Sequence, residues 1–148
     1  MSADAPPTGG APPVTVDRLQ RWLDTPPFHR LLGLRAETVD IGGRSVVLRL
    51  PFRETFRRAT DRAELHGGVT AALIDIAGDF AVATVVGAPV PTINLRIDYL
   101  RMAGDGELVA TARVVKAGRT VAVVDIEVAD TNGRQIAIGR GTYSTRAG

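Results

Sequence analysis

The segment Leu65-His66-Gly67-Gly68-Val69-Thr70-Ala71-Ala72-Leu73-Ile74-Asp75 sets two glycines where a helix can begin and a carboxylate about two turns later. Glycines at a helix start expose backbone N–H groups, and the helix dipole adds positive potential there. Such a start can accept the negative charge that develops on a carbonyl oxygen under attack, which is the work of an oxyanion hole. Asp75 is flanked at helical spacing by Ala71, Ala72, Gly78 and Val82, with no cation three or four residues away. A carboxylate in such surroundings is poorly solvated, as suits a general base or a nucleophile. Plainer readings exist for each residue. His-Gly-Gly is a common helix start, and His66 serves equally well as a cap or as a partner for a nearby carbonyl. A lone helical aspartate usually faces solvent, a reading that the apolar flanks of Asp75 weaken. Asp79, one turn further, reads as a structural or interface residue.

The elements that must position these groups follow from periodicity. Residues 69–86 form the longest helical pattern: Val69, Ala72, Leu73, Ile76, Phe80 and Ala83 mark one face, and the other faces are mostly small. A helix apolar nearly all round is buried, and Gly87 and Pro89 stop it. Two strands precede it, at 34–41 and 45–50, joined at Gly42–Gly43. Four follow, at 90–100, 107–116, 120–130 and 135–145, the last pair joined by an Asn132–Gly133 hairpin turn. Strict alternation in 90–100 puts Ile93, Leu95, Ile97 and Tyr99 on one face, and Thr92, Asn94, Arg96 and Asp98 on the other. Upstream, Val16, Leu19, Trp22 and Leu23 mark a helix capped by Thr15 and ended by Pro26–Pro27. A surface turn at 28–32, carrying His29, closes at Gly33, and 52–65 reads as a loop. Residues 1–13, rich in Pro, Gly and Ala, read as a disordered tail, and 14–148 as a single domain. The order predicts an α+β chain with one curved antiparallel sheet around one central helix. One sheet edge is left bare, so a homodimer at least is expected.

Composition narrows the function. The 148 residues are 45% hydrophobic and 23% charged, ordinary for one soluble domain. The absence of cysteine excludes disulfides, thiolate metal sites and a cysteine nucleophile. Asp75 and Asp79 interrupt the long apolar segment, which therefore reads as a core helix and not as a membrane span. The N-terminus has no basic and apolar leader, so a cytoplasmic location is expected. A net charge of only +2 on dispersed arginines, with aromatics at 5%, argues against nucleic acid. A few arginines can still fork the phosphates of a small ligand.

His66-Gly67-Gly68, the aspartate nine positions after that histidine, and Pro91-Thr92-Ile93-Asn94-Leu95-Arg96-Ile97-Asp98-Tyr99-Leu100-Arg101 together resemble the PaaI-like hotdog thioesterases. Gly118-Arg119-Thr120 and Gly139-Arg140-Gly141 add to the likeness, which runs from about residue 27 to 145. The resemblance implies a six-stranded sheet wrapped around the long helix, pairing into dimers and tetramers with active sites at the dimer interface. It implies an acyl-CoA substrate, a thioester hydrolysed to acid and coenzyme A, and no metal or organic cofactor. Asp75 is then the nucleophile or the base that activates water, and the Gly67 N–H polarises the thioester carbonyl. Gly68 lines the substrate site, His66 shapes it, and a Thr92 hydroxyl from the partner subunit holds the catalytic water. Thr60 departs from the family, in which many relatives carry Asn or Gln; its reach is shorter, and Asp61 beside it is an alternative occupant. Arg96 and Arg119, with Lys116 and Arg101, are candidate phosphate partners. Small residues along the helix leave room for an aromatic or medium-chain acyl group. A non-catalytic acyl-CoA-binding hotdog is the alternative. A hydratase is the least supported reading, because His29 and His66 are the only histidines.

Overall fold

The computed structural model describes residues 11–146. Its elements run α1 (Val16–Asp24), α2 (Pro27–Leu32), β1 (Arg35–Asp40), β2 (Ser45–Leu50), α3 (Gly67–Val86), β3 (Thr92–Tyr99), β4 (Leu108–Ala117), β5 (Val121–Asp130) and β6 (Gln135–Ser144). The first ten residues of the expected tail lie outside the described residues; 11–13 have neither helix nor strand. Thr15 caps α1 as expected, accepting the Arg18 N–H at 3.2 Å. The expected turn at 28–32 is instead the short helix α2. Pro27 starts it where a missing N–H costs nothing, and Gly33 ends it in the left-handed conformation at φ 70°.

Six strands form one antiparallel sheet in the order β1-β2-β4-β5-β6-β3. It curves around α3, which packs on β2, β4, β5, β6 and β3. Alternate residues of β4 (Leu108, Ala110, Ala112, Val114) and β5 (Ala122, Val124, Ile126, Val128) are buried, and the residues between them mostly face outward. Small residues on both sides bring helix and sheet close: a Cβ on Gly139 would stand 2.7 Å from the Ile74 Cγ2. Leu73, Ile74 and Phe80 are sealed from solvent between them, each contributing about 1.5–3 kcal/mol by its burial. With 20 residues of mean hydropathy 1.8 in its best window, α3 is apolar enough to cross a bilayer, but more than half of that window is covered by the rest of the chain.

The two outer strands are treated differently. Gln20 on α1 reaches the β1 edge, where its Oε1 accepts the Ala36 N–H at 2.7 Å and its Nε2 donates to the Leu34 carbonyl at 3.2 Å. This side-chain amide takes the place of a strand partner. Among the described residues no strand lies beyond β3. There Ile93 is 59% exposed and Tyr99 54%, with Leu100 and Met102 exposed just after the strand.

One expectation about β3 needs correction. Thr92 pairs with Tyr143 and Asn94 with Thr142, so Ile93 is an extra residue in the strand. A bulge of this kind breaks the two-residue alternation and re-aims the side chains on one side of it. Thr92 thereby comes to the α3 side, and Ile93, grouped by alternation with Leu95 and Ile97, points outward. Leu95 and Ile97 keep their expected face and are half-buried.

Candidate active site

The segment before α3 is held on three sides. Arg57 bridges to Leu65, the His66 N–H donates to the Phe56 carbonyl at 2.8 Å, and the Leu65 N–H to the Ala103 carbonyl at 2.9 Å. His66 is the N-cap of α3, and its Nδ1 accepts the Gly68 N–H at 2.9 Å. An accepting Nδ1 carries no proton, so the proton of the neutral ring sits on Nε2. This geometry separates the two glycines. The Gly68 amide is committed to His66, whereas the Gly67 amide has no acceptor among the described residues. Gly67 is therefore the free donor at the positive end of a 20-residue helix. Its carbonyl accepts the Tyr99 hydroxyl at 2.8 Å, which ties the helix start to β3.

Asp75 is half-buried in the middle of α3. Thr92 donates its hydroxyl to Asp75 Oδ1 at 2.6 Å, and the bond lies within one chain. Oδ2 is left for substrate or water. The backbone beneath is braced as well: the Tyr143 hydroxyl donates to the Asp75 carbonyl at 3.1 Å. Tyr143 is fully buried between Gly78 and Gly141, where an added Cβ would stand 2.0 and 2.4 Å from its atoms. Burial, together with the charges of Asp75 and Asp79, drives the Tyr143 hydroxyl far above its ordinary ionisation range. It therefore acts only as a neutral donor.

Within one chain the site is in two halves. Gly67 and Asp75 are eight residues apart on a continuous helix, about 12 Å along its axis at 1.5 Å per residue. One thioester carbonyl cannot be attacked by Asp75 while its oxygen rests on the same chain's Gly67. The structure thus brings Thr92 to Asp75, and His66 and Gly68 to Gly67, but does not join the two groups. In the PaaI-like resemblance the partner's hydroxyl serves the site, whereas here Thr92 serves the aspartate of its own chain.

Two hollows flank the α3 start and share Gly68. One, of about 290 Å³, is apolar and lined by Phe28, Leu31, Phe56 and Val69 beside His66. The other, of about 520 Å³, runs past Gly67 and Tyr99 to Arg58 and Arg101. Arg58 pairs with Glu64 at 2.6 Å, and Arg101 holds the Gln135 carbonyl at 2.8 Å. Arg96 and Arg119 line neither hollow. Arg96 pairs with Asp98 at 3.3 Å on the surface, and Arg119 is exposed in the β4–β5 turn. Thr60 lies exposed in the loop between Arg57 and Leu65 and lines neither hollow. His29 is not on a surface turn: it is half-buried in α2 with its ring edge-on to Phe80 at 5.9 Å, and its Nδ1 has no partner among the described residues. Burial lowers its pKa. The sequence reading missed Tyr143 and the roles of Tyr99 and Arg58. The only sequence trace of Tyr143 is glycine at positions 78 and 141, whose meaning appears once helix and strand face each other.

The model of the Thioesterase superfamily matches residues 64–137, half of the chain, and the chain belongs to that superfamily. It is a thioester hydrolase. Human acyl-coenzyme A thioesterase 13 is 34% identical over 118 residues, 78% of this chain and 82% of that protein. An X-ray structure of a thioesterase-superfamily protein superposes with a TM-score of 0.83 at 35% identity, covering 88% of this chain and 98% of the other. A phenylacetic acid degradation-related protein from Ralstonia eutropha gives a TM-score of 0.75 at 26% identity, covering 85% and 98%. These bear out the hotdog fold and the PaaI-like resemblance.

Proposed function

We propose that the chain hydrolyses an acyl-coenzyme A with Asp75 as its catalytic carboxylate, in a site completed by a second copy of the chain. The bond from Thr92 to Asp75 carries this reading: it fixes one carboxylate oxygen and leaves the other without a hydrogen-bond partner among the described residues. That oxygen either attacks the thioester carbonyl carbon, expelling the thiolate and leaving an acyl-aspartyl anhydride for water to cleave, or takes the proton of an attacking water. The oxyanion rests on the free Gly67 N–H of the other copy, an interaction whose loss costs ~100- to 1000-fold in turnover. Neither route calls for a metal or an organic cofactor.

The bare β3 edge supports the second copy. Pairing two β3 strands about a two-fold axis runs the α3 helices antiparallel, so each Asp75 approaches the other's helix start. The apolar hollow suits a medium-chain or aromatic acyl group, and Arg58 and Arg101 suit the phosphates of coenzyme A. A cytoplasmic location belongs to the same reading.

The test is thiol release from a panel running from acetyl- to palmitoyl-CoA, with phenylacetyl- and benzoyl-CoA, for the wild type and Asp75→Asn. Release by the wild type and none by a folded Asp75→Asn is expected. Equal turnover by both would remove Asp75 from the chemistry, and acyl-CoA binding without release would favour a binding protein.

A further inference from the structure

Asp79 lies one turn beyond Asp75 on α3, half-buried, and among the described residues it pairs with no cation. Its Oδ1 accepts the Val90 N–H at 2.7 Å. Val90 is two residues before Thr92, whose hydroxyl holds Asp75. The next residue, Pro91, is pinned through its carbonyl by the Ser144 N–H at 2.9 Å. The connector that aims Thr92 is thus clamped by a second carboxylate and by β6.

We propose that Asp79 is a positioning residue of the same site: it holds the Val90–Thr92 connector in place and, by carrying or losing its charge, sets how readily Asp75 accepts a proton. This rests on Asp75 being the catalytic carboxylate. Burial pushes Asp79 up to about 7; the negative charge of Asp75 adds to this, and the Val90 N–H opposes it. The other groups around it leave Asp79 as the one that titrates near neutrality. From β6 comes the Tyr143 hydroxyl, which stays neutral. From α2 comes His29, which feels the charge of Asp75 but is held low by burial. On α1, Arg18 is committed to the carbonyls of Pro12 and Gly87. A negative Asp79 one turn away favours the protonated form of Asp75, whether a proton or an acyl group is what neutralises it. Activity should therefore rise as the pH climbs through neutrality.

The experiment measures kcat/KM from pH 5.5 to 8.5 on octanoyl- and phenylacetyl-CoA for the wild type, Asp79→Asn and Asp79→Ala. Asparagine keeps an acceptor for the Val90 N–H and removes the charge. The wild type should show a rise of about ten-fold centred near pH 7, the size expected for one like charge at this spacing. Asp79→Asn should follow a flat profile near the wild type's acid limb, and Asp79→Ala should lie lower still, because Thr92 is loosened. A rise retained by Asp79→Asn, or activity lost equally at every pH, would overturn the proposal. Carbon-13 NMR of labelled aspartate carboxyls gives a second reading that needs no turnover. Because coupling is reciprocal, the Asp79 titration should move to lower pH in Asp75→Asn. An unmoved titration would overturn the proposal, and a panel without thiol release would count against the hydrolase reading alone.

Discussion

Gly78→Ala sets two effects of opposite sign against each other. Position 78 lies inside α3, where alanine is favoured over glycine by about 1 kcal/mol. Helix propensity alone therefore makes the variant more stable than the wild type. The tertiary structure reverses that sign, because the new Cβ would stand 2.0 Å from the Tyr143 hydroxyl oxygen and 2.4 Å from its Cζ. More than an ångström must be found, and Tyr143 is fully buried with its ring over the backbone of Gly141. Either the ring stays and is overpacked, costing about 1–3 kcal/mol, or it moves and gives up its bond to the Asp75 carbonyl, about 1–3 kcal/mol for a phenol left unpaired. Set against the propensity gain of about 1 kcal/mol, either route leaves a net loss of up to about 2 kcal/mol. For a chain of this size that lowers the melting temperature by roughly 2–4 °C per kcal/mol. Thermal and urea unfolding followed by circular dichroism measure it, and thiol release should fall as well, because the backbone under Asp75 loses its brace. A double-mutant cycle with Tyr143→Leu isolates the clash: the double variant should be at least ~1 kcal/mol more stable than additivity allows. A Gly78→Ala protein more stable than the wild type by the full propensity gain, or strictly additive behaviour in the cycle, refutes the reasoning.

Two further outcomes are expected. Asp79 holds its proton up to about 7 in the folded chain against an ordinary 3.8, so the folded state binds the extra proton between those values. The Asp79 contribution to stability is then fully present below about pH 4 and is lost as the pH rises to about 7, by about 4 kcal/mol for a shift of about three units. Asp79→Asn should flatten that slope in urea titrations run from pH 4 to 8, gaining on the wild type as the pH rises; parallel curves would count against the buried carboxylate. Ile93→Lys on the bare edge should shift the molecule towards monomer in sedimentation and lower thiol release at dilute protein, with little change in monomer stability. An unaltered dimer would place the interface elsewhere.

The long buried helix, the six strands and their hairpin turns were legible from the chain, because hydrophobic period and glycine placement are local properties. Ser45–Leu50 and the Thr15 cap come out as read. That the Gly68 amide is committed to His66, which leaves the Gly67 amide without an acceptor among the described residues, needed coordinates. What the chain could not show are matters of which distant residues meet. Strict alternation set Thr92 on the face opposite Leu95 and Ile97, and one bulged residue, Ile93, brings it to Asp75. His29 looked exposed because two prolines and a glycine surround it, yet α2 packs its ring on Phe80. Of the arginines in the family's motifs, Arg101 lines the hollow beside Gly67 and Arg96 and Arg119 do not, whereas Arg58, outside those motifs, does. The residue types and their spacing decided that a glycine helix start and a carboxylate lie on one helix. Only the tertiary structure decided that Thr92 meets that carboxylate, because the bulge at Ile93 and the packing of β3 on α3 join residues distant in the chain.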